Sequence, residues 1–433
     1  MAIGIFVRRE NQERKEDHRA RVFHGDLFGL REEKYAVLDR TDVGATEWAE
    51  LTPASPDYYF VPQVTDVAEE YKTGWIITEV MPTNVLGFQT HRDHFALDIE
   101  RDKLQARIRK MRMNELSDSE FLEKYSLKNS GGWDLSKARS ALRVDDEWQN
   151  ALSRVSYRPF DDRWAYYSRT VMDRPRKELI HHVAGKKNLC LVVSRQALDG
   201  VFKHALVTRL PAEGNLLQSA KGGNSFPLWL YSDGSGDLLN ADEPRKRPNL
   251  APEFNAAVTG AIGRAATPDE TLAWIYAALY APSYRTRYAD FLKRDFPRIP
   301  LPPGHAIFDI LVALGEELIA LHTMEKTLPR ITTFDVTGDN SVDKIRWEPG
   351  KDGTGRVYIN AEQYFGKVPE AVWETHVGGY RVADKWLKER CGRNLNYDDL
   401  EHYQSVIAAL ARTVEIQAGI DDAIEEAGGW PLR

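Results

Sequence analysis

The sequence predicts a multi-unit α+β protein, in which a helical connector precedes a central region built on a mixed sheet, and helices follow at the C-terminus. Its 433 residues exceed one small module and favour two or three structural units. Apolar residues recur at helical spacing in some stretches, and short uncharged runs typical of buried strands lie between them. With 42% apolar and 28% charged residues, the composition is that of an ordinary folded protein.

Residues 1–62 are predicted to form a β-rich unit, with strands at Ile3–Val7 and Ala20–Phe23. The proline-rich stretch 52–62 is incompatible with regular helix and gives the first boundary. Between 63 and 150 the pattern becomes helical, since Leu104, Ile108 and Met111 share one face. This stretch is interpreted as a helical connector.

Residues 151–330 combine both kinds of structure. The uncharged run 188–194 predicts a buried strand, whereas Thr267-Pro268-Asp269-Glu270 has the cap, proline and glutamate of a helix start. A second helix is expected through Tyr284, Tyr288 and Phe291, and a third from Phe308 to Leu321. Residues 331–433 form the last predicted region, with short strands at 331–360 and a last helix along Leu400–Val414.

Cysteine usage and hydropathy indicate the cellular compartment in which the protein is expected. The two cysteines, Cys190 and Cys391, are too few for a disulfide framework or a cysteine zinc site, which favours a reducing compartment. No run approaches eighteen uncharged apolar residues. We therefore expect a soluble, cytoplasmic protein that does not enter membranes.

The sequence motifs do not support catalysis by this chain alone. The histidines of 91–94 and 181–182 lack a third ligand at metal-site spacing, and Asp233–Asp237 lacks the lysine of a phosphate loop. No Gly-x-Ser-x-Gly elbow is present. We expect no catalytic, cofactor-binding or metal-binding residues on this chain.

The clearest local signal is a basic and aromatic window from Arg154 to Arg209, which holds twelve Lys and Arg against five Asp and Glu although the whole chain carries −7. Arginine suits bidentate contacts to phosphate or guanine, and the neighbouring aromatics offer planar groups. These features predict contacts with duplex DNA from the following cations: Arg158, Arg163, Arg169, Arg174, Arg176, Lys177, Lys186, Lys187 and Arg195. The alternative is that Asp161, Asp162 and Asp173 pair with several of these arginines and that the aromatics belong to a core.

A glycine-rich polar loop follows at 218–225. Gln218 and Asn224 are candidate readers of adenine, because an amide pairs with adenine through two hydrogen bonds, and Lys221 is a further candidate contact. A surface loop without a ligand is the alternative interpretation.

Several blocks resemble one known family. Tyr157–Trp164 with Arg174-Pro175-Arg176, then Phe226–Tyr231, then Ser283–Tyr288 running to Asp295–Pro300, and finally Val372-Trp373 with Val377–Val382 and Lys385–Lys388 occur in the family's order. The chain resembles the C-terminal specificity region of type ISP restriction-modification enzymes and related adenine-N6 DNA methyltransferases over about 150–420. Gly4–Val7 and Arg31–Lys34 are similar to the last part of the methyltransferase domain that precedes this region in such enzymes.

The resemblance implies a target-recognition region at 151–330 without its catalytic core. Neither the Phe-x-Gly-x-Gly that holds S-adenosylmethionine nor the Asn-Pro-Pro-Tyr that grips a flipped adenine is present, and the nearest string, Ala281–Tyr284, lacks the side-chain amide. The implied partners are double-stranded DNA and a methyltransferase core, either on the same polypeptide or on another chain. S-adenosylmethionine is implied for that core and not for this chain.

Two other functions stay open at this point. The chain is alternatively one half of a split methyltransferase that a partner completes. It is alternatively a carbohydrate- or protein-binding scaffold, which its eleven Trp and eighteen Tyr favour.

Overall fold

Short antiparallel sheets and sixteen α-helices make up the described part of the chain. The structure is a computed structural model, and it describes residues 4–7, 20–27, 31–53, 58, 60, 65–113, 115–130, 132–197, 201–219, 222–232 and 246–432. The predicted α+β class is confirmed. Regular ladders between the described strands are antiparallel, and parallel pairing is limited to the isolated bridges Phe88–Glu213 and Ser156–Ala212.

The chain divides into two compact units, 1–70 and 71–433. In the first unit, strands β1 (Val22–His24) and β2 (Ala49–Leu51) pair, and helix α1 (Arg31–Arg40) lies between them in sequence. Helix α2 (Thr65–Lys72) spans the junction. The four-region division at 62, 150 and 330 stays a prediction.

The larger unit begins with short elements and then three longer helices. The elements up to residue 151 are β3 (Trp75–Ile76), α3 (Ile77–Val80), β4 (Val85–Leu86), α4 (Asp93–Ala96), β5 (Leu97–Asp98), α5 (Arg101–Met113), α6 (Asp118–Lys124), α7 (Leu135–Val144) and a 3-10 turn at Trp148–Ala151. Leu104, Ile108 and Met111 are fully buried on α5, as the helical spacing predicts.

Four of the predicted contact residues, Arg158, Arg163, Lys177 and Asn224, lie on the central elements. These elements are β6 (Leu152–Arg158), β7 (Asp161–Tyr166), α8 (Lys177–Val183), β8 (Cys190–Val193), β9 (Ala205–Thr208), β10 (Asn224–Pro227), β11 (Trp229–Tyr231) and β12 (Lys246–Pro248). Strands β6 and β7 form a hairpin that β5 extends to three strands. A four-stranded sheet has the order β4-β10-β8-β9, and all four residues of β8 are buried, as its uncharged run predicts.

Helices dominate the part that follows. They and one strand are α9 (Pro252–Ile262), α10 (Pro268–Tyr280), α11 (Pro282–Arg287), α12 (Ala289–Leu292), β13 (Arg298–Ile299) and α13 (His305–His322). The predicted capping box at Thr267 and Glu270 is present at the start of α10. The single helix expected through Tyr284 and Phe291 is instead two, because the backbone leaves helical geometry at Tyr288.

The C-terminal elements are β14 (Arg346–Pro349), β15 (Thr354–Tyr358), β16 (Tyr364–Pro369), α14 (Glu370–Trp373), β17 (His376–Val377), β18 (Tyr380–Arg381), α15 (Val382–Lys388) and α16 (Tyr397–Glu426). Strands β14, β15 and β16 form one sheet in that order. Residues 331–360 therefore contain the expected short strands, and α16 includes the whole predicted last helix.

Two hydrophobic cores position the central strands. One joins the β5–β7 sheet to α5, α6 and α7 through residues such as Ile108, Phe121 and Val155. The other contains Val192 of β8 and Leu206 of β9 together with Trp386 and Ile407 from the C-terminal helices. The central strands therefore share a core with residues far along the chain.

Candidate nucleic-acid interface

Arg158 and Arg163, the first two predicted DNA contacts, are held by carboxylates inside the protein. Arg158 Nη1 lies 2.7 Å from Glu213 Oε2, and Arg163 Nη2 lies 2.8 Å from Asp161 Oδ2 and 2.7 Å from Glu389 Oε2. The side chains expose only 9% and 13% of their surface. Both guanidinium groups therefore have carboxylate partners within the protein. The Arg163–Asp161 pair is one of the aspartate–arginine pairs that the sequence offered as the alternative to DNA contact.

Asp161 is the centre of this ion-pair network. Its side chain is fully buried, and it accepts hydrogen bonds from Arg163 and from Arg390 Nη2 at 3.0 Å. Burial disfavours the charged carboxylate, but the two guanidinium groups outweigh that cost and hold the pKa of Asp161 below its ordinary value. The network therefore ties the β6–β7 hairpin to the end of α15.

A different set of predicted contacts is exposed. Arg169, Arg174 and Lys177 lie at the surface, and no described carboxylate is within ion-pair distance of any of them. They belong to the stretch 168–187, here called the basic segment, which has six Lys and Arg against two acidic residues. Cations without an intramolecular partner are available to an anionic ligand.

The first half of the basic segment is firmly anchored although it is a loop. Val171 and Met172 are buried, and the Trp133 indole donates to the Thr170 carbonyl at 2.7 Å. Arg174 exchanges two backbone hydrogen bonds of 3.0 Å with Gln89. The loop therefore holds its exposed arginines in a defined position, which lowers the ordering cost of binding.

Asp173 provides a further anchor for this loop. Its carboxylate pairs with Arg92 Nη2 at 2.7 Å and with His91 Nδ1 at 2.7 Å. Partial burial opposes ionisation, yet the bonds from Arg92 and His91 prevail, so that the pKa of Asp173 lies below its ordinary value. The one acidic residue of the loop is thus neutralised from outside the segment.

The second half of the basic segment consists of α8 and the turn after it. Arg176 caps α8 in a left-handed conformation with φ of 52° and is half-buried, 4.0 Å from Glu178. Lys186 and Lys187 are exposed beyond the helix. The Tyr231 hydroxyl donates to the Lys187 carbonyl at 2.8 Å, which connects this turn to β11.

Two cations that the sequence window misses lie on β12. Lys246 pairs with Tyr231 and Arg247 with Leu230 across the hairpin of β11 and β12. Both cations are exposed, Lys246 Nζ lies 4.3 Å from the Trp229 ring centroid, and Lys186 Nζ lies 5.4 Å from that of Tyr231. The β11–β12 hairpin therefore adds two cations to those of the basic segment. Both lie outside the window 154–209, so the charge count of that window does not include them.

The remaining candidates differ in their surroundings. Arg195 is exposed but pairs with Asp295 at 2.7 Å. Gln218 is buried and donates to the Gln196 carbonyl at 2.8 Å, whereas half-buried Asn224 donates to Asn84 Oδ1 at 2.9 Å. Lys221 lies outside the described residues. Base reading by Gln218 and Asn224 stays a prediction, although both amides have partners within the protein.

The string nearest to an adenine-gripping loop forms a helix junction. Ala281 caps α11 between α10 and α11, and Ser283 binds Asp421 through its backbone and its hydroxyl. The buried Tyr284 donates to the Arg298 carbonyl at 2.6 Å. Ser283 and Tyr284 are therefore engaged in hydrogen bonds within the protein.

Among the described residues, no cluster of three or more His, Cys, Asp or Glu has the arrangement of a metal site. The described helices include none that is long and apolar enough to cross a membrane.

The chain belongs to the family of Type ISP C-terminal specificity domains, whose model matches residues 79–418. A comparison with curated proteins found no match. The family membership covers the β5–β7 sheet, the basic segment and most of the C-terminal elements.

Three solved structures share the fold. They are a nuclease-deletion mutant of the Type ISP enzyme LlaGI with a DNA substrate mimic (TM-score 0.66, 18% identity, 92% of this chain and 33% of that one), the ATP-dependent Type ISP enzyme LlaBIII bound to DNA (0.65, 16%, 86% and 25%) and a DrdV–DNA complex (0.68, 19%, 94% and 43%). This chain therefore spans between a quarter and less than half of the chains that it resembles.

Proposed function

We propose that this chain is the sequence-specific duplex-DNA recognition part of a restriction-modification enzyme. The observation that carries the proposal is an anchored, exposed basic segment within a Type ISP specificity domain. Phosphate contacts position such a domain, and contacts with base edges give it specificity. Arg169, Arg174, Lys177, Lys186 and Lys187, with Lys246 and Arg247 of the hairpin, are the proposed phosphate contacts.

The acidity of the rest of the chain supports this assignment. The whole sequence carries −7, while the basic segment and the β11–β12 hairpin include cations that have no carboxylate partner among the described residues. Repulsion elsewhere and attraction here confine a polyanion to one part of the surface. We leave Arg158 and Arg163 out of the proposed contact, because their ion pairs stabilise the β6–β7 hairpin, which precedes the basic segment in sequence.

We assign adenine methylation to a methyltransferase core that is either part of the same polypeptide or a partner chain. The absence of the two methyltransferase motifs from this sequence supports the assignment, as does the helix junction at Ala281–Tyr284. S-adenosylmethionine belongs to that core in this proposal. Calorimetry on this chain alone should show no binding of S-adenosylmethionine, and addition of the core should create methylation of defined adenines.

Duplex DNA binding at several salt concentrations tests the main proposal. With six to eight phosphates neutralised, the logarithm of the binding constant should fall with the logarithm of salt with a slope of about −5 to −7. Fluorescence anisotropy with labelled duplexes measures this slope. Salt-insensitive binding to glycans, without binding to DNA, favours the scaffold instead.

A further inference from the structure

A polar cleft opens beside the basic segment. It has a volume of about 550 Å³, and its lining includes residues 89–94 with Tyr157 and Asn215. Gln89 lies in this lining and exchanges backbone hydrogen bonds with Arg174. The cleft is therefore continuous with a proposed phosphate contact.

Ion pairs and ring contacts hold the walls of the cleft. The Tyr157 ring centroid lies 3.8 Å from the Arg158 guanidinium carbon and 4.0 Å from that of Arg163, and both arginines are fixed by ion pairs. His91 has a φ of 55°, and its ring is bound to Asp173. A non-glycine residue held in this conformation stores strain, which is frequent at functional sites.

The charges of the lining exclude phosphate as the occupant. Asp93, Glu213 and Glu389 line the cleft, and its two arginines, Arg92 and Arg163, are already paired with carboxylates. No unpaired cation remains among the described lining residues. The phosphate contact is accordingly expected at the rim, with Arg174, and the cleft is left for an uncharged polar group such as a base edge.

The side-chain amide of Gln89 has a hydrogen-bond donor and acceptor available for such a group. Its side chain is half-buried in the lining, and none of the described residues forms a hydrogen bond with its amide. A glutamine amide that offers one donor and one acceptor matches the N7 and N6 positions of adenine in the major groove. A half-buried amide that has no partner among the described residues, beside a phosphate-binding rim, therefore points to direct base readout.

We propose that this cleft receives base edges from the major groove and that Gln89 determines specificity by pairing with an adenine. The proposal rests on the proposed function and adds a residue outside the basic window to it. Arg174 then fixes the neighbouring phosphate, and the shared backbone bonds of Gln89 and Arg174 set the distance between the two contacts.

Selection from a randomised duplex pool, followed by sequencing, tests this assignment on the full chain. The unmodified protein should enrich one motif that contains adenine. Gln89→Ala should lose preference at one adenine position by roughly tenfold to a hundredfold, with the salt slope of binding unchanged. Gln105→Ala, on α5 outside the cleft lining, is the matched control and should keep the original motif.

A second substitution keeps the test informative. Gln89→Glu preserves the size of the side chain but offers only acceptors, so the preferred base at that position should change from adenine to cytosine. An unchanged motif in both Gln89 variants overturns the base-reading role while leaving the proposed function standing. If the unmodified protein enriches no motif, the proposed function itself fails.

Discussion

At Asp161, arginines from two distant parts of the sequence share one buried carboxylate. Arg163 lies on the same strand, whereas Arg390 is 229 positions away. The sequence shows that an arginine-rich stretch contains aspartates, and this allows the prediction of local pairs. It does not show Glu213, Glu389 or Arg390 as partners, because the fold alone brings these residues to the hairpin.

Removal of the shared carboxylate should destabilise the protein strongly. Asp161→Asn removes the buried negative charge that Arg163 and Arg390 share, and a broken buried pair costs about 3–5 kcal/mol. Urea unfolding at neutral pH measures the change in the free energy of unfolding. Asp290→Asn, which removes a surface pair with Lys293, is the control and should have little effect. Equal effects of the two substitutions contradict a central role for Asp161.

His322 makes stability dependent on pH. Its Nδ1 lies 2.6 Å from the Tyr276 hydroxyl and its Nε2 lies 2.9 Å from Thr413 Oγ1, which itself donates to the Ala409 carbonyl. Thr413 therefore accepts from Nε2–H, and Nδ1 accepts from Tyr276, which requires a neutral ring. Burial, followed by the nearby Arg285, lowers the pKa of His322 from 6.5 to about 3.

Acidification should consequently weaken the fold through this histidine. Between pH 6.5 and about 3 the unfolded chain takes up a proton at His322 that the folded chain excludes. The free energy of unfolding should therefore fall by up to about 1.4 kcal/mol per pH unit in this window. Unfolding curves at pH 7, 6, 5 and 4 measure the slope, and His322→Gln should reduce it by that amount. Identical slopes in the two proteins refute the assignment.

Among the helices and strands, local sequence signals predicted the helices that begin with capping residues. The cap, proline and glutamate at 267–270 define the start of α10, because these side chains satisfy backbone groups of the first turn. The break at Tyr288 had no such signal. Tyr288 is held by rings from other segments, among them Tyr71 and Trp430, and such contacts are invisible in local spacing.

Helix packing at Gly315 offers a direct test of the α10–α13 contact. A Cβ at Gly315 would lie 2.1 Å from the Ala273 carbonyl oxygen, so Gly315→Ala must separate the two helices. Gly260 is an interior glycine of α9 with nothing within 4 Å of an added Cβ. Thermal unfolding should show a loss of stability for Gly315→Ala and a gain of roughly 0.4–1 kcal/mol for Gly260→Ala. Stabilisation by both substitutions disproves the close approach.

At the scale of the whole molecule, the charge pattern of the sequence indicated a polyanion ligand but not its contact surface. Charge counts along a window do not distinguish buried from exposed arginines. The fold places Arg158 and Arg163 in buried ion pairs with carboxylates, whereas exposed cations of the window lie in the basic segment. Strand pairing adds Lys246 and Arg247 to these exposed cations. The order of the family blocks, by contrast, was readable from the sequence because it needs no three-dimensional contacts.

Duplex binding by charge-reversal variants measures whether the basic segment contacts DNA. The double variant Arg174→Glu with Lys177→Glu should weaken binding to all duplex sequences and reduce the magnitude of the salt slope by about two. The control is Arg109→Glu with Lys110→Glu on the exposed side of α5, which changes the net charge equally. We expect near-normal binding for the control. Equal losses in the two double variants, or no loss in the first, would refute a DNA contact through the basic segment.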